Sequence, residues 1–423
     1  MSVQTHQNPA LASAGDLLLR DYARLIVRTG ANVQPGQIVQ LTISVEQHEF
    51  AAMITEEAYL AGAKKVNLNW LSDRQDRLHY QYAEEEVLSQ TLPWEKEKLR
   101  QMTEDLPVRI FVESEDPDAL AGLDPEKLSH VMQKRAAVAK PYRDTIDGKH
   151  QWCIAALPSQ VWAQKCFPDV SPEAAMSKLR EAIYRTVRIG KNTDAVSAWK
   201  AHTDRITEKS SWLNLQHFTS LHYSSRNGTD FTVDLIPEAL WEGAGAVNGE
   251  NGVFYIPNMP TEEIFTSPLA GHCEGTLVAV KPLSWNGQLI EDFSITFREG
   301  KAISCRAAKG QELLEKMLHM DEGASMLGEV ALVPKDSPVN RCGFLFYNTL
   351  FDENACCHFA LGQGFREVLP NGNVLSSEEA TAAGINDSII HVDFMVGADD
   401  LNITGRRADG SSVAIFTNGT WAE

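Results

Sequence analysis

Eight acidic and imidazole side chains from four separated stretches could carry the chemistry of this sequence. Gly328–Leu332 holds Glu329; Leu350–Leu361 holds Asp352, Glu353 and His358; Ser388–Phe394 holds His391 and Asp393; and Asn258–Thr266 adds Glu262 and Glu263. The stretches are otherwise apolar, and a carboxylate buried among apolar neighbours needs a compensating positive charge. Divalent cations would supply it. Imidazole and carboxylate without thiolate suit Zn²⁺, Mn²⁺ or Co²⁺. The carboxylates are too many for one tetrahedral zinc. The set therefore predicts two ions roughly 3.5–4 Å apart, bridged by a carboxylate and by a water made nucleophilic at neutral pH.

Each member also has an ordinary reading. His391–Val392–Asp393 reads as strand, which puts the imidazole and the carboxylate side by side and turns Val392 and Phe394 to the opposite layer. A buried His–Asp hydrogen bond is the common alternative. Glu353 and His358 lie in a stretch that reads as a loop running into a helix, capped by Asp352 or Asn354, with Cys356 and Cys357 as small buried residues of that helix. Five residues is a poor same-face spacing in a helix, so Glu353 is expected in the preceding turn. Asp352 and Glu353 would otherwise merely favour the helix N-terminus. Glu329 enters an apolar strand after Gly328, where it could bridge two ions or be a plain strand-end charge. Pro260–Thr261 reads as a helix start, and only one of Glu262 and Glu263 need face the site. HExxH and GxSxG are both absent, which removes the single-zinc and serine-hydrolase readings.

The elements that must position these residues change character along the chain. Up to about residue 200, helices and strands alternate. Helices are expected at Asp16–Thr29, Glu46–Leu60, Glu84–Met102, Asp124–Tyr142, Ser171–Ile189 and Asp194–Thr207. Strands are expected at Gln37–Ile43, Lys65–Trp70, Pro107–Val112 and Gln151–Leu157. That alternation indicates βαβ units and a largely parallel sheet. Without GxGxxG or GxxxxGK[ST], nothing marks a nucleotide site there, and this half reads as scaffold. Strands dominate afterwards, with turns at Arg226–Asn227–Gly228, Asn286–Gly287, Glu299–Gly300 and Asp409–Gly410. The expected architecture is an α/β N-terminal domain over 1–200 and a mixed α+β, strand-rich catalytic domain over 201–423. The pattern changes between about 190 and 215.

Composition bounds the partners. A net charge of −19 opposes nucleic acid and anionic membrane surfaces. No apolar run approaches the roughly 20 residues of a bilayer span, and the first residues lack a basic leader, so neither a membrane anchor nor a signal peptide is expected. Seven cysteines without a CxxC pair fit a reduced, cytoplasmic setting.

The segments NMPTEEIFT, LGEVALV, NTLFDENACCHFALGQGF, NDSIIHVDFM and TNGTW resemble, in order and with closely similar spacing, the aminopeptidase T, aminopeptidase S and PepS family of metallopeptidases. The resemblance covers the whole chain and is strongest from about 250 to the end. It implies a thermophilic-metalloprotease-like fold and a cytoplasmic, homodimeric exopeptidase acting on peptide substrates with two divalent metal ions. Motif by motif, it implies Glu263, Glu329, Glu353, His358, His391 and Asp393 as metal ligands. Glu329 would be the bridge, with Glu329 or Glu353 taking the water's proton. One departure stands out: Phe365 occupies a position where the family often has Tyr, so an oxyanion-holding hydroxyl must come from elsewhere, such as Tyr347, or be replaced by the second metal. The rival reading is a mononuclear non-haem iron ring-cleaving dioxygenase on the same scaffold, with His358, His391 and Asp393 as a two-His-one-carboxylate face.

Overall fold

The computed structural model describes residues 14–422 apart from 115, 286 and 287. Its first half is built on four parallel strands, β1 (Ile38–Ser44), β2 (Lys65–Leu71), β3 (Val108–Glu113) and β4 (Trp152–Ala156), in the order β2-β1-β3-β4. Helices α1 (Ala14–Leu25), α2 (His48–Leu60), α3 (Asp73–Tyr82), α4 (Glu85–Ser89), α5 (Pro93–Asp105), α6 (Pro125–Ile146), α7 (Gln160–Cys166), α8 (Pro172–Thr186) and α9 (Ala195–Gln216) are interleaved with them. Alternation sets the burial: Val39, Leu41 and Ile43 of β1 are fully buried, while Gln40 and Thr42 sit on the less covered face. The single helix expected over Glu84–Met102 is two. Pro93 is the reason, since proline disfavours helix in the residue before it and is itself suited to the first turn of a new one. Helix α3, which buries no residue, gives no apolar stripe from which to foresee it.

The second half is antiparallel. The hairpin β5 (Phe218–Ser224) and β6 (Asp230–Leu235) turns at Arg226–Gly228 as its sequence predicts. Short strands β7 (Glu242–Gly243), β8 (Ala246–Val247), β9 (Phe254–Tyr255) and β10 (Ile264–Thr266) follow. The meander comprises β11 (Pro268–Val278), β12 (Leu283–Trp285), β13 (Gln288–Arg298) and β14 (Lys301–Lys309). The turn expected at Asn286–Gly287 lies outside the described residues. Helix α10 (Gln311–Leu318) leads into β15 (Leu327–Leu332), α11 (Thr349–Asp352), β16 (His358–Gly362), α12 (Ser377–Ala382) and β17 (His391–Met395). Strands β18 (Asn402–Arg407), β19 (Ser412–Thr417) and β20 (Thr420–Trp421) close the chain. The strands form a large sheet in the order β12-β13-β11-β6-β5-β18-β19-β20, with β14 beside β13, and a smaller one in the order β17-β16-β15-β10-β7. The parallel sheet followed by these antiparallel sheets is the α/β plus strand-rich α+β architecture expected from the sequence.

Two cores flank the smaller sheet. One gathers Tyr22, Phe50, Trp162 and Trp199 from the first half, together with Phe346, Leu350 and Phe351 from the last third. The other packs Leu327, Val330, Leu332, Phe359, Leu361, Val392 and Phe394 against the large sheet. The indole of Trp162 donates to the Phe346 carbonyl at 2.5 Å, and Asn348 Nδ2 donates to Glu113 Oε2 at 2.7 Å. The loop before α11 is thereby tied to the C-terminal end of the parallel sheet.

The structure reverses two local expectations. In the stretch around His358 the helix comes first, as α11, and His358 opens a strand. The neighbours Cys356 and Cys357, both buried, precede that strand rather than line a helix. A β-branched or aromatic run is absent there, so periodicity gave no strand signal. Pro260–Thr261 starts no helix; Ile264–Thr266 is instead strand β10, paired with β15.

Candidate metal centre

The site lies on one face of the smaller sheet. Residues paired across an antiparallel ladder project to the same side. Glu329 in β15 pairs with Ala360 in β16, and Ala360 pairs with Asp393 in β17. His358 is two residues from Ala360, and His391, opposite Gly362, is two residues from Asp393. All four functional side chains therefore share a face. Phe359, Leu361, Val392 and Phe394 occupy the other, in the core.

Gly328 makes this arrangement possible. The register slips there, so Leu327 opposes Leu361 while Glu329 opposes Ala360. Such a bulge sends two residues that would ordinarily share a face to opposite faces. Leu327 goes to the core and Glu329 to the site. A side chain at 328 would collide with the carbonyls of Gly362 and Gln363.

The acid and imidazole groups converge in two sets. Glu263, Glu329 and His358 offer ligand atoms within 4.8 Å of one another, and so do Glu329, His391 and Asp393. Glu329 belongs to both. His358 Nε2 stands 3.4 Å from Glu263 Oε2, and His391 Nε2 stands 3.2 Å from Glu329 Oε2 and 3.4 Å from Asp393 Oδ1. Each ring turns its other nitrogen to a backbone carbonyl: His358 Nδ1 to Cys356 at 3.3 Å, His391 Nδ1 to Gln363 at 2.8 Å. A carbonyl only accepts, so Nδ1 carries the proton in each ring and Nε2 faces the carboxylates, the tautomer of a metal-ligating histidine.

The electrostatics follow from burial. Glu263, Glu329, His358 and Asp393 are all buried. Burial raises the Glu329 carboxyl to about 7, and the charge of Asp393 adds to it. Glu353 is pushed well above the usual range by burial and then by Glu263, Asp393 and Glu329. Burial would lower His358, but Glu263, Glu329 and Asp393 overcome it and push the ring up to about 9. His391 is likewise raised, against burial, by Asp393 and Glu329. Asp393, although buried, is held below its usual value by His391 and then His358. This is a site short of positive charge. The donor set fits divalent cations: imidazole nitrogens and carboxylates converge, and Asp393 Oδ1 is buried without a hydrogen bond.

Glu353 stands apart from both sets yet adjoins them. It lies in the 3₁₀ turn after α11 and, with Asp393, lines a cavity of about 250 Å³. Asp352 is not in that centre. Its buried carboxylate accepts from the Phe346 and Asn348 amides at 2.9 and 3.1 Å and holds Tyr347 between them in a left-handed conformation, φ 56°. Glu262 turns away too, to Arg188 Nη2 at 2.7 Å. Phe365 packs on His391 with ring centroids 4.8 Å apart, while Tyr347 lines the cavity beside Glu353. Neither Arg188 nor Ala360 carries a motif by which a sequence could announce it.

Residues 16–421 match the family model described as thermophilic metalloprotease (M29). Aminopeptidase AmpS of Bacillus subtilis is 40% identical over 96% of this chain and 98% of its own length. Aminopeptidase T of Thermus thermophilus is 36% identical over 95% of this chain and 98% of its own length. The solved structure of wild-type AmpT from Thermus thermophilus superposes with a TM-score of 0.89 at 34% identity, covering 97% of this chain and all of that one (100%). A 2,5-dihydroxypyridine dioxygenase from Pseudomonas putida KT2440 gives a TM-score of 0.51 at 14% identity, covering 97% and 98% of the two chains, a likeness of fold alone. With both the sequence match and the architecture running nearly end to end, this chain is an enzyme of the thermophilic metalloprotease (M29) family.

Proposed function

We propose that this metalloprotease is an aminopeptidase that removes N-terminal residues from peptides. In this reading Glu263, Glu329 and His358 would hold one divalent cation, Glu329, His391 and Asp393 a second, and Glu353 adjoins both. Zinc, cobalt or manganese suits the donors. Such ions, when bound, would acidify a water and polarise the scissile carbonyl. The observation that carries the reading is Glu329: its carboxylate is common to two donor sets, each containing one imidazole whose Nε2 faces a carboxylate of its set, Glu263 for His358 and Glu329 for His391.

The chain's own groups account for the rest. Glu353 adjoins both donor sets and, with Asp393, lines the cavity. It is suited to take the proton of the attacking water on its carboxylate and pass it to the departing amide nitrogen. Glu329 is the alternative carrier. The cavity beside Glu353 and Asp393 has Leu283, Leu345 and Met395 on its walls with Glu113 and Tyr347. Its size suits a single terminal residue, and its acidic lining suits a free α-amine. The Tyr347 hydroxyl is the group we assign to the oxyanion, since Phe365 has none.

The ring-cleaving alternative requires His358, His391 and Asp393 on one iron. Among the described residues these three fall in two sets of converging ligand atoms, with Glu329 common to both. Removal of metal by a chelator, followed by Co²⁺, Mn²⁺ or Zn²⁺, tests the reading on a panel of aminoacyl p-nitroanilides. Hydrolysis should vanish and return, with two ions per chain by emission spectroscopy. One iron per chain and no peptidase activity would overturn it.

A homodimer, implied by the family resemblance, is supported by the exposed Leu68 and Trp70 on edge strand β2 and by the exposed Trp94 of α5. Sedimentation velocity should give twice the chain mass.

A further inference from the structure

We infer that Arg188, His202 and Asn354 are positioning residues that hold one peptide plane, Thr261–Glu262, and through it aim Glu263 and Glu353 at the metal centre. The inference rests on the functional reading above and goes beyond it in assigning residues that touch neither cation nor substrate.

The plane is pinned at both ends. His202 Nε2 lies 2.7 Å from the Thr261 carbonyl, and Asn354 Oδ1 accepts the Glu262 amide at 2.6 Å. The carbonyl of residue 261 and the amide of residue 262 belong to the same rigid unit. Fixing both ends fixes the direction in which the next residue, Glu263, leaves. Asn354 then extends the restraint, with Nδ2 donating to the Leu350 carbonyl at 2.9 Å and to Glu353 Oε1 at 3.4 Å. One buried amide thus ties two candidate site carboxylates to a common frame.

Arg188 sets the frame. Its Nη2 donates to Glu262 Oε1 at 2.7 Å and to His202 Nδ1 at 3.0 Å. A guanidinium only donates, so His202 Nδ1 is the acceptor and Nε2 carries the proton that reaches Thr261. Arg188 thereby selects the tautomer that makes the pin work. Its own placement is set from several sides. The backbone is left-handed, φ 60°, the guanidinium lies over Trp199 at 5.2 Å, and the indole nitrogen of Trp199 donates to the Val187 carbonyl at 2.8 Å. Side-chain exposures of 14% for Arg188, 8% for Glu262 and 6% for His202 take the network out of water. The Arg188–Glu262 pair is therefore a poor source of stability but a stringent orienting device.

The test compares the parent with the double variant Arg188→Met/Glu262→Met, which removes both buried charges and keeps the volume. Each metal-free protein is titrated with Zn²⁺ by calorimetry, with circular dichroism to follow the fold. The expected result is a folded variant that binds Zn²⁺ about 10–100-fold more weakly, the effect usual for residues that orient a ligand. Its KM for leucine p-nitroanilide should stay within about threefold of the parent once cation is saturating. The single variant Arg188→Lys, which keeps a cation against Glu262, should bind Zn²⁺ more tightly than the double variant. His202→Phe, which frees the Thr261 carbonyl without unpairing a charge, is the second probe should the double variant unfold; it too should weaken Zn²⁺ binding. Equal affinity in a folded double variant, or in His202→Phe, overturns the inference alone. A parent chain that binds no divalent cation overturns the functional reading and the inference with it.

Discussion

Glu329 and Asp393 share one neighbour across the sheet, the methyl group of Ala360. They stand two strands apart, and the charge of Asp393 helps to raise the buried Glu329 carboxyl. Only the small residue between them leaves room for a charge that reconciles them. Ala360→Leu should fill that space. Overpacking of this kind costs about 1–3 kcal/mol. The larger expected effect is on cation binding, which calorimetry should find abolished while the melting transition remains cooperative. Normal affinity in that variant would remove Ala360 from the site.

Glu329→Gln keeps the shape of the one carboxylate common to both donor sets but removes its charge. Activity should fall by more than about 100-fold, beyond what loss of an outer orienting group produces. The protein should stay folded, because the substitution relieves a carboxyl whose ionisation burial already opposes. Near-normal turnover would contradict the bridging role.

The metal-free enzyme should lose stability as pH rises. His358 has a folded pKa of about 9, above the ordinary value of 6.5, so its contribution is complete below about 6.5 and disappears as pH climbs through 9. Glu329, raised from 4.5 to about 7, acts in the same direction over a lower window. Melting temperatures of chelated protein should therefore decline from pH 5 to pH 9. Added cation should cancel most of the decline and release protons on binding. A flat profile for the chelated protein would show that the imidazole and carboxylates do not share a proton.

Phe365→Tyr places a hydroxyl against His391, on which the ring already packs. It should raise kcat with little change in KM. Tyr347→Phe should do the reverse, lowering kcat by about 100-fold if its hydroxyl is the oxyanion donor. An unchanged kcat in Tyr347→Phe would leave that assignment without support.

The sequence was most informative where chemistry and periodicity coincide. The spacing of His391 and Asp393 needs only a strand to put both on one face, and β17 is that strand. The hairpin around Asn227–Gly228 and the alternating first half were equally legible, because turn glycines and helical stripes act locally. Other features depended on distant partners. His358 falls in a strand because β15 and β17 lie on either side of it, not because Cys–Cys–His–Phe–Ala favours one. Glu262 and Glu263 look alike in sequence; Arg188, far earlier in the chain, takes one and leaves the other for the centre. Asp352 looks like a ligand and instead shapes a loop.

The bulge at Gly328 has a final consequence. β-Sheets have a reading frame of two, and this strand changes frame within a single residue. Leu327, just before it, fills the core, and Glu329, just after it, faces the site. Drawing Gly328 into the ladder as an ordinary paired position would therefore act as a frameshift in space: Glu329 would fall on the same face as Leu327, its carboxylate in the aromatic interior, with no change in composition.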